Sequence, residues 1–270
     1  MYRLLLPLVC IATSSHAYID SDFDGVEDVY DLCPQTPFSD LVDHQGCVVK
    51  SIGSKTSYNL IAGIGYSQIN YASQEPSDTL STSLQADVYA GNWRFQAIAS
   101  HFQSDNGIES ESGLEDTTMN IMYQFAPTEK LTVTTGIGLI LPTYKSTYNN
   151  EATDSTTSIN LYYTLNNRFS LFAGAHYTWV NDRDVPQARY QNASGFHTGV
   201  EYTQLNGKSA FSAAYYQNES IYTSTQTIKY LNFGYAYTII PHWNIGGYYG
   251  HGLSDSASDQ SIAAYIGYLF

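Results

Sequence analysis

From Tyr58 to the end of the chain, apolar and polar side chains alternate with a period of two, segment after segment. Trp93, Phe95, Ala97 and Ala99 oppose Arg94, Gln96 and Ser100, and Met119, Ile121, Tyr123 and Phe125 oppose Asn120 and Gln124. Leu131, Val133, Ile137 and Leu139 oppose Thr132, Thr134 and Gly136, and Ile159, Leu161, Tyr163 and Leu165 oppose Asn160, Tyr162 and Thr164. A strand sends successive side chains to opposite faces, so this pattern predicts strands with one apolar face. Twelve are expected: 58–69, 79–90, 93–102, 116–126, 129–141, 156–165, 168–179, 193–205, 208–217, 227–239, 242–251 and 260–270. Their lengths approach the roughly 9 to 11 residues with which a tilted strand crosses a bilayer.

The connections alternate as well. Short turns are expected at Gly91-Asn92, Ala126-Pro127-Thr128, Asn166-Asn167, Asn206-Gly207 and Ile240-Pro241, all suited to hairpins. Longer polar loops fall at 70–78, 103–115, 142–155, 180–192, 218–226 and 252–259. Short turns at one end and long loops at the other are a feature of barrels in outer membranes, where the loops face outward. An even strand count returns both ends of the barrel to the turn side, the periplasm.

Composition sharpens this picture. Charged residues make up only 13% of the 270, whereas 14% are aromatic, including 25 Tyr. No apolar run reaches the roughly 18 to 20 residues of a membrane helix, so any span must be β. A soluble sandwich would turn charges outward along its strands, yet Asp87 and Glu201 are the only carboxylates well inside the expected strands. Trp93, Trp179 and Trp243 sit near strand ends, where a membrane interface favours amphipathic rings. The last strand places Ile262, Ala264, Ile266, Tyr268 and Phe270 on one face and stops at an aromatic residue. It resembles the terminal strand of bacterial outer-membrane barrels. That resemblance implies an all-β, transmembrane, antiparallel up-and-down barrel of about 12 strands over residues 58–270, in a Gram-negative outer membrane. It also implies outer-membrane lipid and lipopolysaccharide as surroundings, and a barrel-assembly machinery that reads Phe270 as a sorting signal.

Ahead of the barrel, residues 1–17 read as a secretory signal, with Arg3, an apolar stretch from Leu4 to Ala12, and Ser15-His16-Ala17 as the cleavage site. Cys10 follows Val9 where a lipobox needs a small residue. Without the signal two cysteines are left, Cys33 and Cys47, in a compartment where a disulfide persists. Residues 20–31 set carboxylates at loop positions 1, 3, 5, 9 and 12 with Gly25 at 6, the spacing of an EF-hand-like loop. A hard Ca²⁺ ion takes six to eight oxygens, and alternate side chains of a tight loop converge on it. Asp31 at position 12 is one methylene shorter than the EF-hand Glu. The stretch 20–47 resembles a thrombospondin type 3 repeat of the bacterial kind. The resemblance implies Ca²⁺ bound by Asp20, Asp22, Asp24, Asp28 and Asp31 with the Val26 carbonyl, and Asp43 as a further candidate. It also implies a Cys33–Cys47 disulfide, worth roughly 3 kcal/mol by loop closure. The expected organisation is signal 1–17, calcium repeat 18–48, linker 49–57 and barrel 58–270, with the repeat in the periplasm and open to a protein partner there.

The polar faces should line a lumen. Asp87 lies diagonally across the Gly91-Asn92 hairpin from Arg94 and suits a strut. His176 and His197 are expected side by side, with Glu201 below, a set able to bind a transition metal or to respond near pH 6. The outer loops are strongly acidic, in a chain of net charge −14, which favours cations at the rim. Neither His101 with Ser104 nor His251 with Ser254 has a third member of a hydrolytic triad, and no basic nucleic-acid patch appears. A narrow porin-like channel for small neutral or cationic solutes, and not an enzyme, is therefore expected; a non-conducting surface barrel is the alternative.

Overall fold

The computed structural model describes Leu32, Cys33, Gln45 and Cys47, then residues 56–69, 77–108, 110–145, 152–186, 188–205 and 207–270. The chain divides into two units, Met1–Gly53 and Ser54–Phe270. In the first, Cys33 and Cys47 are joined by a disulfide with their Cα atoms 5.0 Å apart, and the Leu32 N–H donates to the Gln45 carbonyl at 2.8 Å. The signal segment and the proposed calcium ligands Asp20, Asp22, Asp24, Val26, Asp28, Asp31 and Asp43 lie outside the described residues.

The second unit is one antiparallel sheet closed on itself. Its segments are β1 (Thr56–Ile69), β2 (Ser77–Ala90), β3 (Trp93–Asp105), β4 (Ser110–Leu114), β5 (Thr117–Thr128), β6 (Leu131–Leu141), β7 (Asp154–Thr164), β8 (Phe169–Trp179), β9 (Ala193–Thr203), β10 (Ser209–Asn218), β11 (Ile228–Ile240), β12 (Trp243–Gly252) and β13 (Gln260–Leu269). Sequence neighbours pair throughout, except that β5 pairs with β3 rather than with β4, and β1 pairs with both β2 and β13, so the ring has no edge. β4 and β5 both pair with β3, β4 through residues 101–105 and β5 through 93–98. They are one barrel strand broken at Glu115-Asp116, and the barrel is twelve-stranded.

The expected apolar faces are the outer wall. In β1 the outward, exposed residues are Tyr58, Leu60, Ala62, Ile64 and Tyr66, with Asn59, Gly63 and Gly65 turned inward. Large exposed apolar side chains recur on every barrel strand, an arrangement that is stable only against lipid. Near the turn end, outward rings pack across strands: Trp93 on Tyr123 (centroids 4.8 Å apart), Phe169 on Tyr202 (5.1 Å), Phe211 on Tyr235 (4.9 Å) and Trp243 on Tyr268 (4.7 Å). They form an interfacial belt.

Three expectations need correction. The stretch 103–115 is not all loop: β3 continues past the expected strand end and forms a hairpin with β4. The connection after β5 is Glu129-Lys130, not Ala126-Pro127-Thr128. β5 runs to Thr128 through a register irregularity after Phe125, which accommodates Pro127, a residue unable to donate to a regular ladder. The connection after β11 is Pro241-His242, not Ile240-Pro241, because Ile240 still pairs with Trp243. His242 takes φ 78°, as the third position of a type II turn requires after a proline, and its Nδ1 lies 2.7 Å from the Leu269 carbonyl.

Candidate channel lumen

Inward-facing positions carry the candidate chemistry. On one wall, Asp87 of β2 is 1% exposed. Its Oδ1 accepts hydrogen bonds from Arg94 Nε (3.0 Å) and Gln96 Nε2 (3.0 Å), and its Oδ2 accepts from Gln85 Nε2 (2.9 Å) and Asn59 Nδ2 (3.4 Å). A second Arg94 nitrogen stands 2.9 Å from Oδ1. The cause is register: β2 and β3 pair Asp87 with Gln96 and Tyr89 with Arg94, which brings the arginine to the diagonal position. The guanidinium also lies 5.4 Å from the Tyr89 ring centroid, within cation–π reach. Asn120 extends the network by donating to Gln96 Oε1 at 3.1 Å. This is the only ion pair among the described residues.

His176 and His197 lie on the adjacent strands β8 and β9, but they are not opposite one another. His176 pairs with Gly195, and Gly174 with His197. Each imidazole covers the other strand's glycine, so a side chain at Gly174 would strike the His197 ring and one at Gly195 the His176 ring. Glu201 is held elsewhere, accepting from the Tyr162 hydroxyl at 2.7 Å. Among the described residues no three His, Cys, Asp or Glu side chains converge on a possible metal position. The expected three-ligand cluster of His176, His197 and Glu201 therefore does not come together among the described residues: the register offsets the two histidines by two residues, and Tyr162 holds the carboxylate.

Sequence reasoning missed a stack of rings on the same wall. His197 lies over Tyr216 at 5.1 Å and 24°, and Tyr216 over Tyr230 at 4.8 Å and 1°. Phe172 flanks His197 at 6.1 Å. The row crosses β8 to β11 because Tyr216 pairs with both His197 and Tyr230. Rings stacked along the wall spend their faces on one another, so they offer their hydroxyl edges to the lumen.

At the loop end the connections are tied to each other. Tyr144 donates to Glu111 (2.6 Å), and its backbone N–H donates to Asp116 (3.0 Å). Tyr190 packs on Tyr222 at 5.3 Å; burial, with Tyr222 and nearby acids, pushes its hydroxyl up to about 12. Glu219 accepts from the Ser194 N–H (2.9 Å) and hydroxyl (2.7 Å), and these bonds hold its carboxyl below the usual range.

A closed twelve-stranded ring, apolar outside and hydrogen-bonding within, defines a β-barrel of the outer-membrane type. Residues 54–270 match the family model described as a putative MetA-pathway of phenol degradation, and the chain belongs to that family. No curated protein matches it. Solved structures with similar folds include an outer-membrane channel from Pseudomonas putida F1, with TM-score 0.63 and 8% identity, covering 82% of this chain and 97% of that one. The NanC porin follows with TM-score 0.52 and 16% identity, covering 78% and 98%. The translocator domain of the autotransporter NalP from Neisseria meningitidis has TM-score 0.51 and 11% identity, covering 82% and 90%.

Proposed function

We propose that this barrel is a narrow outer-membrane channel for small neutral or cationic solutes, its long loops outside the cell and its turns in the periplasm. The observation that carries this reading is the inner wall of the described strands, where Gln, Asn, Thr, Ser and Tyr dominate and Arg94 is neutralised by Asp87. Such a wall replaces part of a small solute's hydration without trapping an anion. The family description points to small uncharged phenols as the first solutes to try. Single-channel recording of the full chain in a planar bilayer, with swelling of proteoliposomes in phenol and in a neutral sugar, tests it. Steady conductance and swelling are expected; silence in both assays would leave a surface barrel without a pore.

The N-terminal segment we read, on sequence alone, as a periplasmic calcium module that follows a cleaved signal. Asp20, Asp22, Asp24, Asp28 and Asp31 with the Val26 carbonyl supply the oxygens a Ca²⁺ ion takes, and the Cys33–Cys47 disulfide closes the loop behind them. Isothermal titration of the full chain with Ca²⁺, against a variant carrying Asp22→Asn and Asp24→Asn, tests this. Saturable binding lost in the variant is expected, and equal binding by both proteins overturns it.

A further inference from the structure

Away from the loop-end rim, where Asp154 opens β7, the barrel strands carry two inward carboxylates among the described residues, Asp87 and Glu201. Their situations differ. Asp87 is buried and its charge is cancelled by Arg94 at 2.9 Å. Glu201 is only partly buried, its partner is the neutral Tyr162 hydroxyl, and no cation among the described residues pairs with it. The strand order places the two across the lumen. Counting either through β1, β13, β12, β11 and β10 or through β3, β5, β6, β7 and β8, β2 and β9 are separated by the same number of strands, which makes their walls diametrically opposed. Both residues sit near the turn end of their strands: Asp87 is close to Ala90 and Glu201 close to Thr203.

Resting on the channel reading above, we propose that Glu201 determines ion preference: its unpaired negative charge on one wall, facing the neutralised Asp87–Arg94 pair on the other, makes the turn-end half of the lumen cation-preferring. The balance of charge fixes the sign. The pair contributes little net potential, and the turn-end cations Lys130, Arg168 and Lys208 are exposed just outside the strands, so within the strands of that section the uncompensated charge a permeating ion meets is the carboxylate. A lumen wall of low dielectric constant focuses that field along the path. Tyr162 adds position: its hydroxyl donates to Oε1, which keeps the carboxylate at a set place on the wall and leaves the other oxygen for a passing cation. The acidic outer loops have the same sign but act differently. Rim charges are screened within about 3 Å in 1 M salt, whereas an ion moving past Glu201 meets it with little intervening electrolyte.

The reversal potential of the full chain in a planar bilayer, under a KCl gradient with both sides near 1 M or above, reads this directly. The unmodified protein is expected to favour K⁺, and Glu201→Gln to lower its K⁺/Cl⁻ permeability ratio by about threefold, the effect of removing one nearby charge at high effective dielectric. Glu201→Cys should behave like the Gln variant. Treatment with a sulfonate-bearing thiol reagent should restore the K⁺ preference, and a quaternary-ammonium reagent should reverse it, both within one folded protein. An unchanged ratio in Glu201→Gln, or a ratio in the Cys variant indifferent to the sign of the reagent, overturns the inference and leaves the channel standing. Anion preference in the unmodified protein also overturns it. A protein that inserts yet never conducts refutes the channel reading itself, and the inference with it.

Discussion

His197 on β9 lies across Gly174 on β8, its imidazole occupying the space that a side chain at position 174 would need, and His176 stands in the same relation to Gly195. The two glycines are thus sockets for the neighbouring strand's histidine. Gly174→Ala or Gly195→Ala should destabilise the barrel by about 1 to 3 kcal/mol, the usual cost of forcing extra volume into a packed site. Urea unfolding in lipid vesicles, followed by tryptophan fluorescence, measures this. An alanine variant as stable as the parent would mean that the rings swing freely into the lumen.

Arg94→Ala should cost about 3 kcal/mol in the same assay. Removing one partner of a buried ion pair leaves an uncompensated charge, and Asp87 is almost wholly enclosed. The loss should fall at the low end of the range because Gln85 and Gln96 still donate to the carboxylate. Adding Asp87→Asn should recover part of it, since the amide carries no charge to be left unpaired. A double variant no better than Arg94→Ala would show that packing of the guanidinium on Tyr89 outweighs its charge.

At the loop end, pH should act through Glu219. Its carboxyl is held below the ordinary value by two hydrogen bonds from Ser194. Their contribution is therefore in full force above the ordinary carboxylate pKa and is lost as pH falls through the lowered one. Hydrogen exchange of the peptide containing Ser194, corrected for intrinsic rates, should show protection above the ordinary carboxylate range that fades as the solution is acidified below it. Glu219→Gln should flatten that dependence, and a parallel fade in the variant would place the titrating group elsewhere.

Phe270→Ala should slow assembly more than it lowers stability. In the folded protein Phe270 extends the β1–β13 ladder, its N–H donating to the Tyr58 carbonyl at 2.7 Å, and its ring packs edge-on to Tyr268 at 4.6 Å. The backbone bond survives the substitution, whereas the aromatic terminus expected to be read during insertion does not. Pulse-chase measurement of the heat-modifiable barrel in cells, beside the refolding yield of the purified variant, separates the two effects. Equal slowing in both would assign the residue to packing alone.

The strands were legible because lipid on one side and water on the other impose a strict period of two. Ile262, Ala264, Ile266 and Tyr268 could hardly be paired in another register without reversing the wall. The β4 segment Ser110–Leu114 carries no such signal. Hydrogen-bonded at and just beyond the end of the expected membrane span, it needs no apolar face, and its sequence reads as loop. The Pro127 irregularity and the turn at His242 depend on how backbone groups are shared locally, which side-chain pattern reports poorly. The inner wall was legible strand by strand but not between strands. His176 follows Gly174 by two positions and His197 follows Gly195 by two, and two such segments run antiparallel put each histidine over the other's glycine. The repeat is plain in the sequence, but only the register gives it meaning. The ring stack through Tyr216 and Tyr230 is of the same kind, since only pairing across β10 brings those residues level.

The pairing of β1 with β13 joins the first strand of the barrel to the last. A chain emerging from its N-terminus must carry the edge of β1 unmatched until the closing strand has arrived, with all the intervening strands in place. Closure is thus a test of completeness: a chain that stops early or loses a hairpin keeps two exposed edges in a solvent that cannot hydrate them. A finished barrel differs from an unfinished one by a single physical criterion, whether any backbone is left to pair.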